Sequence, residues 1–75
     1  MSSNVKISVL DLMPRRPDQS QHQTMLNTID AARAAESYGY ERFWVAEHHN
    51  AGSLLSSATV VVMAEIAAAT ERIRV

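Results

Sequence analysis

The apolar residues of this chain switch from a period of two to a period near 3.6 and back again, and that alternation limits the folds open to it. Val5, Ile7 and Val9 alternate with Lys6 and Ser8, so Val5 to Leu10 is expected to be a β-strand. Asp11 to Ser20 carries Pro14 and Pro17, which fix φ and cannot donate a hydrogen bond, and reads as a loop. From about Ser20 to Tyr38, Met25, Ile29, Ala32 and Ala35 recur at three- and four-residue steps with Leu26 beside them. Asp30, Arg33 and Ser37 fall mostly on the other face of this expected helix. Ser20 or Thr24 suits its N-cap, and Gly39 suits a left-handed C-cap.

Arg42 to Ala46 is aromatic and β-branched and reads as a second strand, followed by a loop over Glu47 to Ser56. A second helix, capped by Ser56 or Ser57, is expected to run to about Ala69. Val60, Val61, Met63, Ile66 and the alanines make it apolar nearly all round, which predicts burial on more than one side. Thr70-Glu71 turns the chain, and Arg72 to Val75 starts a third strand. The order β-α-β-α-β implies parallel neighbours joined by right-handed crossovers. A doubly wound sheet and the first turns of a (β/α)₈ barrel both fit. A barrel needs about 250 residues, and 75 are less than a third of that. The open strands and the apolar second helix therefore predict a segment that needs further sequence or partner chains to cover it.

Bulk chemistry removes several function classes. Seven Lys/Arg against eight Asp/Glu give a net charge of -1, which argues against a nucleic-acid-binding surface. Without cysteine there is neither a disulfide nor a thiolate metal site. The start of the chain lacks the pattern of a secretory signal, and the apolar run from Ala58 to Ala69 falls short of the ~20 residues that span a bilayer. A cytoplasmic protein without membrane association is expected.

In both candidate architectures function gathers at the carboxyl ends of the strands. Those ends carry Asp11-Leu12 and Glu47-His48-His49-Asn50, expected to face one pocket. Neighbouring histidines point in opposite directions, so one can serve as base or hydrogen-bond donor near neutral pH while the other, or Glu47, anchors the loop. The plainer alternative is a polar solvated loop. A metal site built from His48, His49, Glu47 and His22 is disfavoured, because adjacent side chains rarely converge on one ion and no HExxH spacing exists. Arg15 and Arg16 could meet an anionic substrate, and Ser56 and Ser57 an anion at a helix start, but solvation and capping explain them more simply. Trp44 reads as core more readily than as a flavin-stacking ring. Neither GxGxxG nor a Walker A sequence is present. A small hydrolase using Asp11, Glu47 and His48 ranks last, since no nucleophile motif accompanies them.

The string Phe43-Trp44-Val45-Ala46-Glu47-His48-His49-Asn50 resembles the second-strand signature of the bacterial luciferase-like, flavin-utilizing monooxygenases. Ser8-Val9-Leu10-Asp11-Leu12 resembles that family's opening strand, and Ala34 to Tyr40 the end of its first helix. Ser56-Ser57-Ala58 and Ala67 to Val75 resemble its second helix and the start of its third strand. The resemblance implies an incomplete (β/α)₈ TIM barrel, with residues 1–75 as its amino-terminal part. It implies reduced FMN, or a deazaflavin in some branches, dioxygen and a small-molecule substrate, with a flavin reductase and a homo-oligomer as expected partners. His48 matches the position whose imidazole lies near the flavin. Glu47 and His49 match flanking positions that support the loop, and Asp11 and Leu12 match the mouth of the first strand. The family's phosphate contacts come from later strands, so this segment alone is expected to be inactive. The rival expectation is a non-catalytic, self-associating module.

Overall fold

The computed structural model describes residues 5–14, 16–47 and 58–75. Its elements run β1 (Ser8–Asp11), α1 (Gln21–Ser37), β2 (Arg42–Val45) and α2 (Thr59–Ala69). β1 and β2 pair in parallel, with Ser8 opposite Arg42 and Asp11 opposite Val45. On the other side of β2, Phe43 donates to the Arg74 carbonyl (2.7 Å) and Arg74 to the Glu41 carbonyl (3.2 Å). The expected third strand is therefore represented by one parallel bridge, Arg42 with Arg74. The sequence order of the strands is also their spatial order.

The first strand begins later than expected, at Ser8 rather than Val5, and it includes Asp11. Before Ser8 the Ile7 carbonyl is tied to the second strand's approach, accepting from Glu41 N–H at 2.8 Å. Val5 and Ile7 stay exposed.

α1 has clear local reasons for both ends. Ser20 sits in extended backbone and its Oγ accepts from Gln23 N–H at 3.0 Å. At the far end Tyr38 is the C-cap and Gly39 follows at φ +82°. Gly39 N–H donates to the Glu36 carbonyl and Tyr40 N–H to the Ala35 carbonyl, both at 3.1 Å, which is the Schellman pattern. The buried face is Thr24, Thr28, Ala32 and Ala35: Ala32 and Ala35 are as expected, while Thr24 and Thr28 stand where Met25 and Ile29 were expected. Thr24 can be buried because its hydroxyl donates to the Ser20 carbonyl at 3.1 Å.

The core forms where α1 and α2 lie on one face of the sheet. Phe43, Ile66, Ala32, Val62 and Met13 interlock there, with Val9 and Val45 packed against them. α2 buries only Val62 and Ile66, while Val60 (79% exposed) and Val61 (60%) face outward. Burial of α2 on more than one side is thus not met among the described residues; one stripe is covered. The opposite sheet face is also left uncovered by the described residues. Its cross-strand partners Leu10 and Trp44 are 61% and 51% exposed, so Trp44 is not a core residue here. Phe43 takes the helix-facing side, and the two-residue period sends Trp44 the other way.

Two outcomes follow. Phe43→Ala is expected to cost about 3–5 kcal/mol in urea unfolding, because a fully buried ring is lost from the centre of the core. An added Cβ at Gly39 meets nothing within 4 Å, so Gly39→Ala is expected to cost only the left-handed backbone penalty, about 1–2 kcal/mol.

Candidate functional site

The register brings the carboxyl ends of both strands level, with Asp11 beside Val45. Leu12 continues from one end, and Ala46 and Glu47 from the other. The structure thus places Asp11, Leu12 and Glu47 at one end of the sheet. His48 and His49 lie outside the described residues, as do Asn50, Arg15, Ser56 and Ser57.

Asp11 is half-buried and its carboxylate is engaged. Oδ1 accepts from Met13 N–H at 2.8 Å, closing a tight turn directly after β1. Two residues earlier Val9 packs on the helix side of the sheet, so Asp11 stands in the helix-facing row. Leu12 is 43% exposed, and Glu47 is exposed. Met13 was not singled out by its sequence, yet it combines a 1% exposed side chain with φ +52°. A left-handed methionine costs about 1–2 kcal/mol, so the Asp11 carboxylate and the burial of its side chain hold it in place. The Asp-x-Met spacing just before Pro14 was the available signal, since a carboxylate two residues ahead of an N–H is a turn former.

A cleft of about 170 Å³ opens at this end, lined by Asp11, Met13, Pro14 and Arg16 from the loop and Thr24 and Thr28 from α1. Two larger clefts, each about 310 Å³, lie at the opposite end of the strands. One is walled by Glu36, Glu41, Arg72 and Arg74 and the other by Val5, Ile7 and Tyr38. Size does not choose between them. In a parallel α/β fold chemistry sits at the carboxyl ends, and the opposite face serves stability. Ion pairs at that opposite end are exposed: Lys6–Glu41 at 4.0 Å, Arg74–Glu41 at 3.6 Å and Arg72–Glu71 at 3.4 Å. Such pairs contribute about 0–1 kcal/mol each.

On the bare sheet face Arg42 lies 5.5 Å from the centre of the Trp44 ring, an exposed cation–π contact. Among the described residues no three His, Cys, Asp or Glu side chains gather as a metal site. No helix among them is long and apolar enough to cross a membrane.

The model of a known family, described as luciferase-like monooxygenase, matches residues 5–75. The chain belongs to the luciferase-like monooxygenase family. Among curated relatives, the Bacillus subtilis (strain 168) uncharacterized protein YvbT is 43% identical over 79 residues, covering all of this chain and 24% of its own length. The N-acetyl-S-alkylcysteine monooxygenase of the same organism is 39% identical, covering 93% of this chain and 21% of its own. A luciferase-like monooxygenase of Escherichia coli (strain K12) is 41% identical, covering 88% and 20%. The crystal structure of apo-MsnO8 superposes with a TM-score of 0.87 at 39% identity, covering 95% of this chain and 22% of that one. The chain therefore spans between a fifth and a quarter of the length of these relatives.

The Asp11 turn generates a direct check. Asp11→Ala is expected to cost about 1 kcal/mol of unfolding free energy by denaturant titration. Asp11→Asn, which keeps an acceptor oxygen for Met13 N–H, is expected to cost less.

Proposed function

We propose that residues 1–75 form the amino-terminal two β/α units, and the start of a third strand, of a luciferase-like (β/α)₈ barrel in an FMN-dependent monooxygenase. The observation that carries this reading is the two-sided sheet. Both helices cover one face, and the other presents Leu10 and Trp44 with nothing from the described residues over them. A barrel buries that second face as its own interior. The coverage agrees, because two of eight units are a quarter of a barrel and the relatives match over 20% to 24% of their length.

Flavin suits the surface this segment offers. Leu10, Leu12 and Trp44 provide exposed apolar and aromatic area next to the strand ends, a match for one side of a planar ring. The phosphate is assigned to later strands of the barrel. Reduced FMN, or a deazaflavin in its place, supplies the electrons with which dioxygen is activated. On this reading His48 acts as base or hydrogen-bond donor beside the ring, Glu47 and His49 hold its loop, and Asp11 shapes the rim through the Met13 turn. Leu12 faces the small-molecule substrate. A flavin reductase partner, a homo-oligomer and a cytoplasmic location complete the proposal.

The competing reading is a non-catalytic module that covers its exposed Val60, Val61, Leu10 and Trp44 by self-association. Light scattering and FMN titration separate the two. The barrel reading expects the 75-residue segment alone to show neither saturable FMN binding nor oxygenation above that of free reduced flavin. When the segment is joined to the rest of a barrel, His48→Ala is expected to lower turnover about 10²–10⁴-fold while leaving FMN affinity in place. Turnover unchanged by His48→Ala, or a defined oligomer of the segment with no flavin affinity in any longer form, would sink it.

A further inference from the structure

The last turn of a helix favours cations, because the carbonyl ends of the peptide dipoles gather there. α1 places an acid in that turn instead: Glu36, three residues before Gly39, with no basic residue beside it in the turn. Its carboxylate is turned away from its own helix. Oε2 accepts from three consecutive backbone N–H groups, those of Glu71 (2.8 Å), Arg72 and Ile73 (2.9 Å). Arg72 Nη2 lies 4.0 Å from Oε1.

Those three residues join α2 to the third strand. One turn earlier on α1, Arg33 Nε donates to the carbonyl of Ala69, the last residue of α2, at 3.0 Å. α1 thus grips the connection twice, with a cation on the carbonyl end of α2 and an anion on the N–H groups that follow. Immediately beyond the second grip, Arg74 exchanges its two backbone hydrogen bonds with Glu41 and Phe43.

We propose that Glu36 is a latch that fixes where the third strand joins the sheet, and that protonating its carboxylate releases the 71–73 turn while the β1–β2 pair and α1 stay formed. Three N–H donors aimed at one oxygen are a preorganised anion cradle of the kind that backbone nests make. A neutral carboxyl keeps an acceptor but loses the charge that strengthens each of the three bonds. The other charged and titratable groups around the latch are Arg33 on α1, Tyr40 and Glu41 just before β2, and Glu71, Arg72 and Arg74 on the far side. Arg72, which borders the cleft with Glu36, favours its ionised form, and Glu41 is already occupied by Lys6 and Arg74.

The Arg72 and Ile73 N–H groups are the largest effects that hold the Glu36 carboxyl below its ordinary value of 4.5; burial opposes them, and the Glu71 N–H and the charge of Arg72 add smaller lowering effects. A carboxyl lowered on folding contributes its full stability above that ordinary value. The contribution is lost as pH falls through the lower, folded-state value. The latch is therefore closed at neutral pH and opens in acid.

Amide hydrogen exchange of the 75-residue chain, expressed as protection factors from about pH 3 to pH 7, tests this. The Glu71, Arg72 and Ile73 amides are expected to be protected at neutral pH. They should lose protection by roughly tenfold for each pKa unit by which the carboxyl is lowered, at a pH where Phe43 and the α1 amides remain protected. Glu36→Gln should weaken protection of the three amides and make it independent of pH. Arg72→Ala, which removes the side-chain charge but keeps the backbone donor, should retain the acid step and move it to higher pH. Three results would overturn the latch. One is unprotected amides in the wild-type chain at neutral pH. The second is an acid step that survives Glu36→Gln, and the third is loss of all core amides together with the three.

Discussion

Two parallel strands cannot be joined by a tight turn, and the structure is organised around meeting that constraint. α1 returns the chain from the carboxyl end of β1 to the amino end of β2, and in doing so must lie against the sheet. Phe43 makes the arrangement cooperative. It stands on a strand paired on both sides, and its ring fills the space between two helices. Ala32 and Ala35 are small where α1 approaches the sheet, and Val62 and Ile66 bring α2 into the same layer. Remove the crossover and neither the strand pairing nor the core remains.

The two ends of this layer are built on different principles. At the carboxyl ends of the strands the backbone is forced: Met13 adopts a left-handed conformation, held by an aspartate that accepts its N–H. At the amino ends the backbone is relaxed and the side chains secure it, with glycine in the left-handed position and charged groups bridging elements. Strain at one end and fastening at the other is the division of labour expected of a luciferase-like chain. In such folds chemistry sits on loops that must hold unusual shapes, and the opposite face must tolerate that cost.

Sequence made the element order and the ends of α1 legible because those depend on local chemistry: Ser20 satisfies N–H groups, and Gly39 takes a conformation other residues avoid. The first half of the helix face was misread for a physical reason, whereas Ala32 and Ala35 are buried as expected. Periodicity counts apolar residues, but Thr24 and Thr28 are buried, and Thr24 does so by returning its hydroxyl to the backbone. The alternation of Val5, Ile7 and Val9 was read as one strand, although alternation reports a face and not the presence of a neighbour to pair with. Trp44 was placed in the core because an aromatic residue in a strand usually has cover, whereas the described residues cover only the helix side. Glu36 was passed over because its partners are backbone groups 35 to 37 residues away, which no local pattern encodes. The strand-end positions Asp11, Leu12 and Glu47 were legible because fold class alone dictates where chain ends meet.

The uncovered sheet face has an optical consequence. Trp44 is the chain's one tryptophan, and it stands at the centre of that face beside Arg42. Its indole is in contact with water while the face is bare, and whatever covers the face must first displace that water. The colour of its emission therefore gauges how far the sheet has been enclosed, whether by further strands, by a flavin ring or by another copy. A chain without any added label reports on its own completion.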